Sequence, residues 1–317
     1  MSEQRETPTA KPPVDIYELL STCKTVTLPS GAIHSSWPDI RRTSWNVLGD
    51  IVTLKEQQVT RFLPSDQWIS VRLDLKGFSS QSKRLFPSKK YSPLFATAMH
   101  NTLVALMTEN QAQYGFTQSD EITILLPPHN NEQKQVFNPH PFNGKRDKLI
   151  SLNASFASVI LMQQLMKLGV SLPFLNESQL EKDTESGKDS SLKPTVQFDA
   201  RAAAWESEKD AFQLILWRAQ DCTVNGLSDA VHKSDLPGKR ALTELNSWEK
   251  VKVLHENGLL PLENHQAYGS FVLRQRKVVE AVDLRTGEAV SVERGVLVDI
   301  PGSVLRNFKD GVFSLNS

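Results

Sequence analysis

Two cysteines among 317 residues, Cys23 and Cys222, are too few for a disulfide framework or a zinc cluster, which fits a reducing compartment. Excess charge is missing as well. With 36 Lys and Arg offset by 36 Asp and Glu, the chain lacks the basic surplus of a protein drawn as a whole to nucleic acid, so any such binding has to be local. No apolar run reads as long enough to span a membrane, and the N-terminus carries no apolar signal core. The first fifteen residues are rich in Pro, Thr, Glu and Lys and are expected to be disordered; their acidic residues argue against a transit peptide. A cytoplasmic protein is the expectation, with nucleus and organelle matrix as alternatives. His100, His129 and His140 lack ligand spacing and no Cys pair accompanies them, which sets aside a zinc hydrolase or deaminase.

What is present is 39% apolar residues, enough for a sizeable core, and two strands that end on carboxylates. In Trp68–Asp74, Ile69, Val71 and Leu73 alternate with Ser70, Arg72 and Asp74, the pattern of a half-buried strand. Further on, Asp120 and Glu121 stand directly before the apolar run Ile122–Leu126. Two carboxylates at the lip of a buried strand are costly to desolvate unless a cation sits against them. Asp74 and Asp120, delivered to one sheet edge, make the oxygen-donor pair with which nucleotidyl-transfer enzymes hold two Mg²⁺ ions.

The same residues carry a family resemblance. Gly115 to Ile122, reading G-F-T-Q-S-D-E-I, resembles the Q-S-D-E motif of the tRNA-His guanylyltransferase family, and Val71 to Phe78 resembles its R-[IL]-D-G-[RK]-x-F strand and turn. In the same order follow Phe198-Asp199-Ala200-Arg201, similar to F-D-G-R, and Trp217 to Asn225, similar to W-R-Q-x-D-C-H-I-N. Leu48-Gly49-Asp50 and Gly269 to Val272 extend the match at either end. The chain resembles the Thg1-like branch most. Any one of these matches is weak, and the ordered set is strong.

The resemblance implies addition of nucleotides to the 5′ end of a tRNA, activated by ATP and using GTP, on a polymerase-like palm. Asp74 and Asp120, with the Leu75 carbonyl, match the metal ligands; Ser119 and Glu121 match supporting catalytic positions. Lys76, Gly77, Phe78, Lys90, Asn225 and Lys250 fall at nucleotide-binding positions. The basic residues Lys145, Arg146, Arg218, Arg274, Arg276 and Lys277 are the expected RNA contacts. By analogy the protein is a homo-oligomer, a tetramer. Two departures stand out. Leu75 replaces a glycine, so Gly77 has to absorb the turn, and Thr223, Gly226 and Ser228 replace residues of the guanylyltransferases' H-I-N-N-L-Y-N-T motif. The second departure favours tRNA 5′-end repair over a dedicated addition of G₋₁ to tRNA-His. An idle RNA-binding subunit and a palm enzyme acting on free nucleotides are the other classes.

The expected fold class is α+β, a ferredoxin-like palm with an antiparallel sheet backed by helices, in β-α-β-β-α-β order. The spacing predicts strand 68–74, helix 93–110, a hairpin ending in strand 121–126, helix 147–168 and strand 196–204. Residues 16–67 read as a helical lead-in, 68–205 as the palm with a mobile loop at 174–194, and 206–317 as a helical C-terminal region with a terminal hairpin.

Overall fold

The computed structural model describes residues 26–27, 33–34, 60–78, 86, 92–131, 136–170 and 196–306. Lys90, Leu48-Gly49-Asp50, the first fifteen residues and the 174–194 segment lie outside them. The chain divides into Met1–Thr60 and Arg61–Ser317. In the first unit Val26–Thr27 pairs antiparallel with Ile33–His34, so a ribbon stands inside the expected helical lead-in. β-Branched Val26, Thr27 and Ile33 favour extended backbone.

The second unit is built on one antiparallel sheet. Its strands are β1 (Trp68–Leu75), β2 (Tyr114–Gln118), β3 (Glu121–Leu126), β4 (Phe198–Trp205), β5 (Ser270–Val282) and β6 (Ala289–Ile300), in the order β6-β5-β2-β3-β1-β4. The first four give the β-α-β-β-α-β topology predicted. Helix α1 (Pro93–Glu109) starts where Ser92 accepts from the Phe95 N–H and Pro93 presets the first turn. Helix α2 spans Arg146–Lys167. Both lie on the sheet face lined by Ile69, Val71, Leu73, Ile122 and Ile124, where they close the main core with Phe95, Met99, Leu103, Ala157 and Leu161. By length and composition α2 could cross a bilayer, contrary to the sequence reading that no run is long enough. Its Leu149, Ala157, Leu161 and Leu165 are buried in the main core, while Leu152, Val159 and Met166 on the same helix are exposed.

A third helix, α3 (Glu208–Lys233), covers the opposite face, which makes the sheet a middle layer rather than a sheet backed on one side. Ser207 caps it through the Asp210 N–H at 3.1 Å, and Phe212, Ile215 and Cys222 pack on Tyr114, Phe116, Leu125 and Phe271. Helices Lys239–Glu244 and Ser247–Glu256 follow, the latter opened by an Asn246/Glu249 capping box.

The terminal hairpin is not an appendage. Tyr114–Thr117 of β2 pair with Leu273–Ser270 of β5, so the hairpin extends the palm sheet, and a boundary at 205/206 cuts through one continuous structure. Exposed N–H and C=O groups at a sheet edge favour such pairing, and the partner comes from far along the chain.

Candidate active site

Three carboxylates stand abreast on the α3 face where β1 ends. Asp74 is in register with Glu121 on β3 and with Asp199 on β4. Asp120 precedes Glu121 in the two-residue turn between β2 and β3, and its carbonyl accepts the Leu75 N–H at 3.0 Å. The other turn residue, Ser119, has φ 47°, a left-handed conformation that costs a non-glycine residue energy and concentrates at working sites. Leu75 stays in the strand with its side chain buried, and Gly77 takes φ 66°. The turn is thus absorbed two residues downstream of the expected glycine, as the sequence suggested.

Two arginines neutralise Glu121. Its Oε2 lies 2.6 Å from Arg218 Nη2 and its Oε1 3.8 Å from Arg72 Nη1. Arg218 also donates to Asp221 Oδ2 at 2.9 Å, and the same oxygen accepts from Asn225 Nδ2 at 2.9 Å. Burial raises the Glu121 carboxyl above its ordinary range, while Arg218 and then Arg72 oppose the rise. Asp74 is also raised, by burial first and then by Asp199, against Arg201, Arg72 and Arg218. Burial likewise raises Asp120; a hydrogen bond from Ser119 opposes it and the Asp74 charge adds to it.

Among the described residues neither Asp74 nor Asp120 forms an ion pair, in contrast to Glu121. No three His, Cys, Asp or Glu side chains among those residues converge as a metal-holding group. Two half-buried carboxylates without an ion-pair partner among the described residues suit Mg²⁺, which takes the rest of its shell from water and phosphate oxygens. Asp74 and Asp120 are the residues that would hold it.

Several expected contacts are used otherwise. Arg218 was expected to meet RNA, but its side chain is 7% exposed and its guanidinium is spent on Glu121 and Asp221. Arg274 donates to the carbonyls of Ala112 at 3.0 Å and Met107 at 2.7 Å, so it caps the end of α1 rather than facing RNA. Phe78, placed among nucleotide contacts, stacks on Phe95 at 4.4 Å in the core on the face opposite Asp74. Lys250 is buried, with Nζ donating to Ser228 Oγ at 3.1 Å. Lys76 anchors the turn through its N–H to the Gln197 carbonyl at 2.8 Å. Asn225 remains exposed beside the site. Lys145, Arg146, Arg276 and Lys277 stay at the surface; Arg146 pairs with Asp147 at 2.9 Å and Arg276 lies 3.7 Å from Glu293. Because β3 runs away from Glu121 before α2 begins, Lys145 and Arg146 sit at the far end of the sheet.

The altered α3 motif has a structural use. Thr223 Oγ1 donates to the Ala267 carbonyl at 2.9 Å, and Ser228 receives Lys250. A Cβ on Gly226 would lie 2.2 Å from the Gln266 carbonyl oxygen, so only glycine admits the close approach of helix Asn264–Ala267. Sequence reasoning missed Arg72, Asp199 and Trp217 as neighbours of the site. Arg72 was legible as the same-face residue two before Asp74, and Asp199 as the acidic residue of the Phe198–Arg201 motif.

A split β-α-β sheet with carboxylates on adjoining strand ends is the frame of a nucleotidyltransferase palm. Residues 52–206 match the model of the tRNAHis guanylyltransferase (Thg1) family, whose members are nucleotidyltransferases. A bacterial tRNA(His) guanylyltransferase (Thg1)-like protein in complex with ATP is similar in fold: TM-score 0.55, 21% identity, 78% of this chain and 91% of that chain covered. The tRNA(His) guanylyltransferase of Saccharomyces cerevisiae gives TM-score 0.53 at 19% identity, over 69% of this chain and 91% of its own. An uncharacterized protein of Acanthamoeba polyphaga mimivirus is 26% identical over 237 residues, 72% of this chain and 77% of that protein.

Proposed function

We propose that this protein is a Mg²⁺-dependent 3′–5′ nucleotidyltransferase that activates a tRNA 5′ end with ATP and adds nucleotides to it, as in 5′-end repair. The observation that carries the reading is the contrast at the sheet edge. Glu121 is ion-paired with Arg218 and Arg72, while its neighbours Asp74 and Asp120, both raised by burial, form no ion pair among the described residues.

In the first step a 5′-phosphate oxygen attacks the ATP α-phosphorus and pyrophosphate leaves. In the second the 3′-hydroxyl of GTP or another nucleotide attacks the activated 5′ phosphorus and AMP leaves. Asp74 and Asp120, with the Leu75 carbonyl, are the groups that would hold Mg²⁺, which would supply charge stabilisation to the phosphoryl oxygens. The Leu75 N–H to Asp120 carbonyl bond keeps the two carboxylates at one edge. Arg218 orients Glu121, and through Asp221 it orients Asn225, the polar side chain left at the rim. Lys145, Arg146, Arg276 and Lys277 are the surface cations available to RNA phosphates. A homo-oligomer, a tetramer by analogy, and a cytoplasmic location belong to the same reading.

Repair is favoured over dedicated G₋₁ addition by the use of Thr223, Gly226 and Ser228 in packing. The test is to incubate the protein with Mg²⁺, ATP, GTP and 5′-truncated tRNAs whose opposing base is varied, beside full-length tRNA-His. Incorporation that follows the complementary base supports repair. Guanosine added regardless of that base, and preferentially to tRNA-His, restores the guanylyltransferase assignment, and no RNA product at all overturns the proposal.

A further inference from the structure

Trp217 and Arg218 are neighbours on α3 with opposite fates. Arg218 is buried at the carboxylates, whereas Trp217 keeps 56% of its surface in water and joins none of the core clusters. The indole is nevertheless not loose. The Arg218 guanidinium carbon lies 4.6 Å from its ring centroid and that of Arg72 lies 6.0 Å away. Both are within the range in which a cation is drawn to an aromatic ring. Both arginines also reach Glu121, so the ring is tied to the wall of the site by the residues that neutralise that carboxylate.

A large aromatic left more than half exposed beside a phosphoryl-transfer centre, with guanidinium groups over its ring, keeps open surface for a stacking platform. Every nucleobase has a π-face to offer it, and the adjoining guanidiniums favour a neighbouring phosphate. Trp248 is exposed too, at 80%, but among the described residues no guanidinium faces its ring and it lies on a separate helix. We infer that Trp217 stacks a nucleobase next to the reacting phosphate, either the terminal base of the RNA 5′ end or the base of the nucleoside triphosphate. The inference rests on the nucleotidyltransferase reading of the site.

Two probes separate the sources: a 5′-truncated tRNA carrying 2-aminopurine as its first nucleotide, and 2-aminopurine riboside triphosphate. Stacking on Trp217 quenches the fluorescence of whichever probe occupies the platform. Trp217→Leu should abolish that quench and weaken binding of the same probe by roughly 5- to 150-fold. Trp217→Phe, which keeps a ring, should retain most of both. Trp217→Gln gives the same readout as Leu should an aliphatic side chain disturb the fold, which circular dichroism reports. If the unsubstituted protein adds nucleotides to tRNA but Trp217→Leu quenches and binds both probes like wild type, the platform is wrong and the enzymatic reading stands. If no nucleotide is added yet a Trp217-dependent quench persists, the platform stands and the enzymatic reading falls.

Discussion

Arg218 Nη2 lies 2.6 Å from Glu121 Oε2, an ion pair that fastens α3 to the end of β3 beside the reacting edge. Removing one member of a buried pair strands the other charge, at a cost of about 3 kcal/mol or more. Arg218→Met should therefore lower the unfolding free energy by roughly that amount in a urea titration, and turnover should fall with it. An unchanged denaturation midpoint would mean that the pair is not formed in solution.

Asp74→Asn and Asp120→Asn conserve shape and remove repulsion, so thermal stability should hold or rise in each. Turnover should drop by roughly 100-fold or more, the size of a lost contribution of several kcal/mol to phosphoryl transfer. Mg²⁺ should raise the melting temperature of the wild type and not that of the double variant. A full Mg²⁺ shift in the double variant would place the ion elsewhere.

Gly226→Asn restores the residue of the guanylyltransferase motif and should be harmful here. Its Cβ meets a backbone oxygen at 2.2 Å, which cannot swing aside as a flexible side chain could. A loss of about 1–3 kcal/mol is expected from such overpacking, read by chemical denaturation. Wild-type stability would count against the packing of helix Asn264–Ala267 on α3.

The basic residues should separate into two groups. Arg274→Ala removes the donors that cap α1 and should lower the melting temperature with little direct effect on RNA affinity. Charge reversal at Lys145 and Arg146, or at Arg276 and Lys277, should weaken tRNA binding and flatten its salt dependence while sparing the fold and ATP binding. Filter binding at two salt concentrations decides it, and an affinity indifferent to salt would point to free nucleotides as the substrate.

His140 is buried, with Nε2 2.9 Å from the Gln67 carbonyl. Burial lowers its pKa from the ordinary 6.5, against the Gln67 and Pro64 carbonyls and with help from His129. The unfolded chain therefore takes up the proton first. The stabilising contribution is full above 6.5 and is lost as the pH falls from there through the folded value. Wild type should lose more stability between pH 7.5 and pH 5 than His140→Asn, and the ring's NMR titration should fall below the ordinary histidine range.

Local pattern made much of the palm legible. Alternation in Trp68–Asp74, the Ser92-Pro93 start of α1 and the apolar run after Glu121 each carry their own signal, and the helices and strands lie where those signals place them. Pairing of β5 with β2 was not legible, because nothing in Phe271 or Leu273 names a partner as distant as Phe116 or Tyr114. The fate of a basic side chain is equally non-local. Arg218, Arg274 and Lys250 look like surface cations in sequence, and only tertiary packing supplies Glu121, the α1 carbonyls and Ser228. Two local signals were overlooked: Pro237-Gly238 and the Asn246 capping box divide into separate helices the region that the sequence reading left as a helical C-terminal stretch.

The pairing of β2 with β5 also governs how this protein is made. The strand that leads into Ser119 and Asp120 has one side against β3, and its other side waits for residues from Ser270 onward. During synthesis that side stays bare until most of the polypeptide has left the ribosome, and closing so long a loop is slow. A fragment cut to residues 52–206, the stretch that matches the family, would therefore present a naked strand edge and be prone to self-association.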